Sequence, residues 1–330
     1  MKRITAVLLA MLLLVTACIS SASPGPQKGE KIEWKFAHIS DQNHIWHKTA
    51  VKFAELVEKK SDGQIEVSIY PNSQLGGEVD TINSIKTGAV DLTISGETMQ
   101  NWAPKAALLA VPYAFRNQEH MRQVIEGEIG KEIEREIENK VGVTPLFYME
   151  RAPRNLTSNR PIHRPKDLHG FKMRVPNVPL FMETWEAAGA KPSVMDLSEV
   201  FTGLQQGVIH GQENPSDLIY SNGFYEVQKY VNETEHVFSW IYVVIGNEQL
   251  AALPDEQRTA VMEAAQEAQQ YSNQLLETET KQVIAQLKAE GMIINDDVDQ
   301  KAFQKAMIPA IKNSLTPEQY ELYQRILQVR

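Results

Sequence analysis

Alternating apolar and polar residues predict several short β-strands in the first third of the chain. Residues 32–37, 64–70 and 89–95 follow this period of two, which is typical of strands with one buried face. Residues 44–60 carry apolar side chains at helical spacing, and a second helix is predicted to end near Lys86. The order strand, helix, strand, helix, strand indicates an α/β lobe with βαβ connections.

A similar order of elements follows in the middle of the chain. Apolar and basic residues alternate across 170–176, which predicts a strand that Pro176 ends. A helix and then Gly207 come next, as Gly88 follows a helix in the first unit. Two such units indicate two α/β lobes with a cleft between them, with a chance match of short patterns as the alternative.

The second half of the chain adds helices and two more strands. Residues 118–139 predict one charged helix, 224–230 a short helix, and 235–245 an apolar strand that returns to the first lobe. No helix breaker occurs within 255–290, which at about 1.5 Å per residue would span roughly 54 Å. We therefore expect this helix to run across both lobes, and two further helices to occupy 297–330.

The N-terminus has the features of a secretory signal. Two basic residues precede an apolar run over residues 4–15, which is too short to span a bilayer comfortably. Cys18, the only cysteine of the chain, ends a Val-Thr-Ala-Cys sequence that resembles a bacterial lipobox. We expect 1–17 to be removed, Cys18 to be lipidated and 18–30 to form a flexible tether, with an ordinary cleavage a few residues later as the alternative.

Size and charge bound the domain organisation and the partners. The chain has 330 residues, 42% of them hydrophobic, which suffices for one large or two medium globular domains. We expect lobe I to comprise 31–151 and 240–279, and lobe II to comprise 152–239 and 280–330. The formal charge of −9 argues against nucleic acid as a partner, because nucleic acid needs a basic face. An anionic ligand would need locally placed arginines, since the overall field opposes it.

Two arginines and one asparagine are candidates for such an anion site. Arg174 lies near the carboxyl end of a predicted strand, where ligands collect in open α/β sheets, and its guanidinium matches a carboxylate in a bidentate way. Asn214 ends another short apolar run and is held extended by the proline that follows it. Arg154 lies in a polar segment upstream. A solvated arginine on an edge strand is the simpler alternative for Arg174 taken alone.

Several short motifs, taken together, are specific for one protein family. They are Tyr70-Pro71 with Gln74-Leu75-Gly76, Gly88-Ala89-Val90-Asp91, Thr157-Ser158-Asn159-Arg160, Asp167-Leu168-His169-Gly170-Phe171-Lys172-Met173-Arg174-Val175-Pro176, Ser198-Glu199-Val200 and Gly211-Gln212-Glu213-Asn214-Pro215. With these motifs the chain resembles the extracytoplasmic solute-binding subunit of tripartite ATP-independent periplasmic (TRAP) transporters, the DctP-like family. The resemblance covers essentially the whole mature chain.

This resemblance implies an α/β, two-lobed fold like that of periplasmic binding proteins, with mixed sheets, a hinge and a long helix spanning both lobes. The lobes of such proteins close on a small organic acid, whose carboxylate would here be clamped by Arg174 and supported by Asn214. The resemblance also implies TRAP membrane subunits as partners, no cofactor and an extracytoplasmic location. We expect a monomer that touches the membrane only through its lipid anchor.

The resemblance also bears on the ligand. Arg154, Asn177 and Glu78 match pocket positions of sialic-acid-binding relatives, whereas Gly96 and Leu197 stand where those relatives carry a carboxylate and an aromatic ring. This combination favours a sugar acid such as glucuronate or galacturonate. Sialate and C4-dicarboxylates stay open as alternatives.

The sequence offers less support for other classes of function. The chain lacks the Gly-x-Ser-x-Gly, His-Glu-x-x-His, phosphate-loop and dinucleotide motifs of common enzymes. A carbohydrate-acid-modifying enzyme with Glu78 and Glu97 as its carboxylate pair is a weaker alternative. A metal site at three histidines that are close in sequence, His38, His44 and His47, is another. A binding protein of an ATP-driven importer would share the two-lobe plan. Trp46, Trp102 and Trp240 are candidates to stack on a sugar ring, with Trp240 taken as the ligand residue, although large aromatics are more often core or lobe-interface residues.

Overall fold

The structure, a computed structural model, describes residues 31–330. The predicted signal (1–17), Cys18 and the predicted tether (18–30) lie outside the described residues. The described part has the expected α/β, two-lobed architecture, with two mixed sheets and flanking helices. No helix among residues 31–330 combines the length and apolar character needed to cross a membrane.

Strands and helices succeed one another along the whole described chain. The strands are β1 (Ile32–Ala37), β2 (Ile65–Tyr70), β3 (Leu92–Ser95), β4 (Val143–Glu150), β5 (Arg154–Ser158), β6 (Lys172–Val175), β7 (Lys191–Val194), β8 (Gly211–Pro215), β9 (Tyr230–Val237), β10 (Trp240–Gly246) and β11 (Ile293–Asn295). The α-helices are α1 (Ile45–Lys60), α2 (Glu78–Lys86), α3 (Gln118–Glu126), α4 (Glu128–Val141), α5 (Pro179–Ala187), α6 (Leu197–Gln205), α7 (Ser216–Ser221), α8 (Asn247–Ala251), α9 (Asp255–Ala289), α10 (Gln300–Ser314) and α11 (Pro317–Gln328). Short 3₁₀ segments occupy Glu97–Asn101, Pro104–Ala110, Pro165–Leu168 and Phe224–Glu226.

The two sheets are built on related plans. The first has the order β2-β1-β3-β10-β4, with β1 parallel to β2 and β3 and with β10 antiparallel to its neighbours. The second has the order β11-β9-β5-β8-β6-β7, with β6 parallel to β7 and β8 and with β5 antiparallel to its neighbours. Each sheet thus contains a βαβαβ unit whose first strand lies between the other two.

Two related βαβ units are present, as predicted, but the predicted correspondence between their strands was wrong. In topology β6 corresponds to β1, not to β2, because the chain between β6 and β8 contains a further strand, β7, as well as α5 and α6. Pro192 interrupts the pattern of β7, and three of its four residues are exposed at the edge of the sheet. Proline is confined to such edges because it cannot donate to the hydrogen-bond ladder. The strand therefore gave no apolar signal.

Two other predicted elements are divided. The helix predicted over 118–139 breaks at Gly127 into α3 and α4. The strand predicted over 235–245 is two strands: β9 ends at Val237 in the second sheet, and β10 begins at Trp240 in the first. The chain therefore crosses between the lobes at 238–239, and it also crosses at 151–153 between β4 and β5.

Helix α9 confirms the prediction of a long helix that spans both lobes. It has 35 residues. It packs on α1 and β4 of the first lobe and on α7 and β11 of the second. Alanines, among them Ala260, Ala264 and Ala268, occupy buried positions of its first half. Their small side chains allow the axes of α9 and α1 to approach closely.

The last two helices take different partners. α10 packs on α5 and β9 of the second lobe. α11 lies against the first lobe, where Gln319 Nε2 donates to the Pro104 carbonyl oxygen at 2.6 Å and His120 Nε2 is 3.0 Å from the Ile326 carbonyl oxygen. The expected assignment of all of 280–330 to lobe II therefore does not describe α11.

Candidate functional site

Residues just beyond the carboxyl ends of β3, β6 and β8 line one cleft between the two sheets. This is the edge at which open α/β sheets bind ligands. The space between the protein atoms in the cleft amounts to about 590 Å³, a figure that includes the part open to solvent. Its lining comprises Ile39, Trp46, Ser73, Gly77, Glu78, Val79, Glu97, Thr98, Arg151, Arg154, Arg174, Pro176, Asn177, Asp196, Leu197, Asn214 and Leu218.

Arg174 lies on the wall of the cleft, where one of its three guanidinium nitrogens is bound by the protein. It lies near the end of β6 and is 4% exposed. Its Nε donates to the Met195 carbonyl oxygen at 2.7 Å, whereas its terminal nitrogens have no acid partner among the described residues. Burial lowers the pKa of Arg174 to about 10, so that the side chain stays charged at neutral pH. A charged, fork-shaped donor therefore faces the cleft.

Arg154 is engaged by protein groups instead. Its Nε and Nη2 donate to the two carboxylate oxygens of Glu213 at 2.5 and 2.7 Å, and its Nη1 donates to Glu97 at 3.3 Å. Burial alone would raise the pKa of Glu213, but the charge and hydrogen bonds of Arg154, with those of His236, outweigh it and hold the pKa at about 2. Glu213 is therefore a permanent counter-ion of Arg154.

The same arginine orients Asn214. Arg154 Nη2 donates to Asn214 Oδ1 at 3.1 Å, and Asn214 Nδ2 donates to Gln212 Oε1 at 2.6 Å. Gln212 in turn donates to Thr157 on the neighbouring strand β5 at 3.1 Å. The amide of Asn214 is thus fixed from both sides, and its second Nδ2 hydrogen is left for another acceptor.

Arg151 and Glu97 form a buried pair that the sequence analysis did not assign to the ligand site. Arg151 Nη1 donates to both carboxylate oxygens of Glu97, at 2.8 and 2.9 Å, and its guanidinium lies 5.4 Å from the Trp46 ring centroid. Burial would raise the pKa of Glu97, but Arg151 and Arg154 outweigh burial and lower it. The position of Arg151 directly after the apolar strand β4 was the available signal.

Glu78 and Asn177 lie on opposite lobes at the cleft. Glu78 begins α2 and is half-buried. Burial, and then the charge of Glu97, raise the pKa of Glu78 to about 7, so its carboxyl group both donates and accepts hydrogen bonds near neutral pH. The carbonyl oxygen of Asn177, just after β6, accepts a hydrogen bond from Asn101 Nδ2 at 3.2 Å across the lobes.

The structure brings five of the six predicted ligand residues into this cleft and leaves one out. The five are Arg174, Arg154, Asn214, Asn177 and Glu78. Trp240 is fully buried in the core, where its ring lies 5.7 Å from that of Phe115. Trp46 lines the cleft in its place. Nothing in the local sequence separated the two tryptophans, because both adjoin apolar segments.

Two lobes that enclose a cleft lined by buried arginines have the architecture of a solute-binding protein. The chain belongs to the bacterial extracellular solute-binding proteins of family 7, the DctP family, whose family model matches residues 36–317. Solved structures of TRAP periplasmic solute-binding proteins share its fold.

Three relatives match this chain over most of its length. The solute-binding protein RD1_1052 of Roseobacter denitrificans is 47% identical over 306 residues, which cover 93% of this chain and 94% of that protein. Its crystal structure with bound L-galactonate has a TM-score of 0.88 and covers 91% of this chain and 99% of that one. A second TRAP protein from R. denitrificans, with bound β-D-glucuronate, is 29% identical with a TM-score of 0.87, covering 90% and 100%. The Escherichia coli 2,3-diketo-L-gulonate-binding periplasmic protein YiaO is 32% identical over 275 residues, 83% of this chain and 84% of that protein.

Proposed function

We propose that this protein captures a sugar acid outside the cytoplasm and delivers it to the membrane subunits of a TRAP transporter. The observation that carries the proposal is the buried, charged guanidinium of Arg174, which has no acid partner among the described residues. A ligand carboxylate would complete it with charge-assisted hydrogen bonds, each contributing about 1.5–3 kcal/mol. Asn214 would donate its remaining Nδ2 hydrogen to the same carboxylate.

The balance of buried charges in the cleft favours a ligand with one carboxylate. Arg151, Arg154 and Arg174 carry three positive charges, and the carboxylates of Glu97 and Glu213 compensate two of them. Arg174 is the guanidinium left without a carboxylate partner among the described residues. A C4-dicarboxylate would bring a second negative charge, for which the described lining of the cleft offers no further guanidinium without a carboxylate partner, and an unpaired charge is costly in a desolvated site.

The far side of the cleft suits hydroxyl groups. Glu78, Asn177 and Asp196 offer oxygen acceptors there, and the two acids would oppose a second carboxylate. Leu197 offers no ring on which a sialate could stack, which argues for a smaller sugar acid. The R. denitrificans relatives, with bound L-galactonate and β-D-glucuronate, support an aldonate or a uronate such as glucuronate or galacturonate.

We also infer that the protein binds its ligand without transforming it. Glu97 is engaged by two arginines, so it is not free to act as one half of a hydrolytic carboxylate pair with Glu78. We further propose that Cys18 is lipidated, that the protein is a monomer, and that the hinge lies at the strand crossings beside α9. Family membership as an extracellular solute-binding protein supports the extracytoplasmic location.

The test is thermal unfolding of the purified protein with galactonate, glucuronate, galacturonate, gluconate, sialate, succinate and malate. A ligand at about a thousand times its Kd stabilises by about 4 kcal/mol, which raises the Tm by several degrees. We expect a shift with at least one hexonate or hexuronate and none with succinate or malate. A shift with a dicarboxylate alone would refute the sugar-acid assignment, and chemical conversion of a bound sugar acid would refute the binding-only role.

A further inference from the structure

His44 and Asp217 make a contact between the lobes that lies outside the ligand cleft. His44 Nε2 is 3.0 Å from Asp217 Oδ2, and the two side chains are 1% and 15% exposed. His44 precedes α1, which packs beside β2 of the first sheet, whereas Asp217 lies in α7, directly after β8 of the second sheet. The pair is therefore a sheltered hydrogen bond between lobes.

Each partner is oriented by its own lobe. His44 caps α1: its Nδ1 accepts a hydrogen bond from the Trp46 backbone N–H at 3.2 Å, and its ring meets the Trp46 ring edge-on at 4.9 Å between centroids. A ring nitrogen that accepts carries no proton, so the proton is on Nε2, which donates to Asp217. Asp217 Oδ1 accepts from the Leu218 backbone N–H at 3.0 Å. The contact needs no further ordering of either side chain when the lobes meet.

The two partners are neighbours in sequence of residues that line the ligand cleft. Trp46 follows His44 by two positions, and Asn214 precedes Asp217 by three. A movement that brings Trp46 towards a ligand held by Asn214 therefore brings His44 to Asp217. His44 and Asp217 also line a second cavity between the lobes, bounded by α9, so the pair lies between that cavity and the cleft.

We propose that the His44–Asp217 hydrogen bond is a closure latch, formed when the lobes close on the ligand and broken when they open. The inference rests on the proposed function, in which the lobes close around a sugar acid. His44 and Asp217 act as positioning residues, since neither is part of the lining of the ligand cleft. The latch stabilises the closed, liganded form against reopening, so its effect falls on ligand dissociation.

The test is a double-mutant cycle with the purified protein and the sugar acid that raises the wild-type Tm most. Asp217→Ala removes the acceptor, and His44→Asn keeps a capping oxygen for α1 on a side chain too short to reach α7. We expect each single variant to raise Kd about tenfold, through a faster koff with kon unchanged, because a sheltered charge-assisted hydrogen bond is lost. We expect the Kd of the double variant to be about the same as that of either single variant, because both substitutions remove the same hydrogen bond.

Asp297→Ala is the matched control, because it removes an aspartate–histidine pair within the second lobe. His163 Nδ1 is 3.2 Å from Asp297 Oδ2, and the carboxylate is exposed. We expect its Kd to stay within about twofold of the wild type. Additive effects of the two latch variants on Kd, or a wild-type koff for Asp217→Ala, would overturn the proposal.

Thermal unfolding separates a latch from a merely structural pair. A latch contributes only to the closed form, so the variants should lower the Tm of the liganded protein more than that of the unliganded protein. An equal loss in both forms contradicts the latch. If no sugar acid binds the wild type, the proposed function fails separately, and the cycle is repeated with the carboxylate of the same panel that raises the wild-type Tm: a faster koff of that ligand from Asp217→Ala supports the latch, and a wild-type koff overturns it.

Discussion

Three arginines line the cleft, and their partners give them different tasks. Arg154 donates to Glu213, Asn214 and Glu97 and so builds the wall. Arg174 is fixed through Nε alone and keeps its terminal nitrogens for a ligand. Counting arginines in the sequence did not reveal this division, because it depends on which carboxylates fold against which guanidinium.

Arg174→Gln should weaken ligand binding strongly and cost the unliganded protein only the hydrogen bond from Arg174 Nε to the Met195 carbonyl oxygen. The substitution removes the cation that a ligand carboxylate pairs with, which should raise Kd by a factor of a hundred or more, corresponding to about 3 kcal/mol. The folded protein loses no ion pair of Arg174 among the described residues. Titration calorimetry and urea unfolding measure the two effects, with the exposed Arg135→Gln as control. Retention of binding within about threefold would place the anion elsewhere.

Glu213→Gln should destabilise the protein by about 3–5 kcal/mol at pH 7, because it leaves Arg154 buried without its counter-ion. The folded pKa of Glu213 is about 2, below its ordinary value. Its stabilising contribution is therefore complete above about pH 5 and is lost as the pH falls towards 2. Urea unfolding should give a constant difference between wild type and variant from pH 8 to 5 that narrows below pH 4.5. A difference that widens on acidification would contradict this assignment.

At the scale of elements, strand β8 carries Asn214 to the cleft, and its first residue allows the strands to approach. A Cβ on Gly211 would lie 2.1 Å from the Thr157 carbonyl oxygen and 2.6 Å from the Phe171 ring. Gly207, just before β8, has a φ of +70° but open space around the position of a Cβ. Gly211 is therefore needed because there is no space for a side chain, and Gly207 because its backbone conformation is left-handed.

Gly211→Ala should cost about 3 kcal/mol or more, because β8 must move away from β5. The shift would also displace Asn214, so the affinity for the ligand should fall in the same variant. Gly207→Ala is the control; it should cost about 1 kcal/mol for the left-handed backbone and leave affinity unchanged. Urea unfolding and calorimetry give both quantities. Equal effects of the two substitutions on affinity would argue against the close approach at Gly211.

The elements that the sequence predicted well are those whose burial follows a local period. α1, β2 and α9 have such patterns, and their observed bounds lie within a residue or two of the predicted ones. β7 was not predicted, because an exposed edge strand has no buried face and therefore no alternating apolar pattern. The division of 235–245 into β9 and β10 was not predicted, because both strands are apolar and only the tertiary structure assigns them to different sheets.

The candidate site shows the same limit. Arg174 and Asn214 were found because strand ends and a following proline mark their positions locally. The pairing of Arg151 with Glu97 joins residues 54 positions apart and depends on how β3 and β4 are placed around β10. The burial of Trp240 depends likewise on the packing of Phe115 against β10. Such contacts are properties of the assembled sheets.

At the scale of the whole molecule, an acidic protein is proposed to capture an anion. The formal charge of the chain is −9, so the long-range field repels a sugar acid that approaches from solution. The attraction of Arg174 acts only within the cleft, where the carboxylates of Glu97 and Glu213 already compensate its neighbours. Encounter and capture are thus governed by fields of opposite sign.

The association rate of the ligand should therefore rise with salt. Raising the ionic strength from about 0.01 M to about 0.1 M shortens the Debye length from about 30 to about 10 Å, which screens the distant acidic surface more than the enclosed contact with Arg174. We expect kon, measured by stopped-flow tryptophan fluorescence, to rise by up to about threefold while koff changes little. Arg135→Gln makes the surface more acidic and should steepen the rise. A kon that falls with salt would mean that the positive charge of the cleft already steers the ligand from a distance, and that the acidic surface plays no part in its approach.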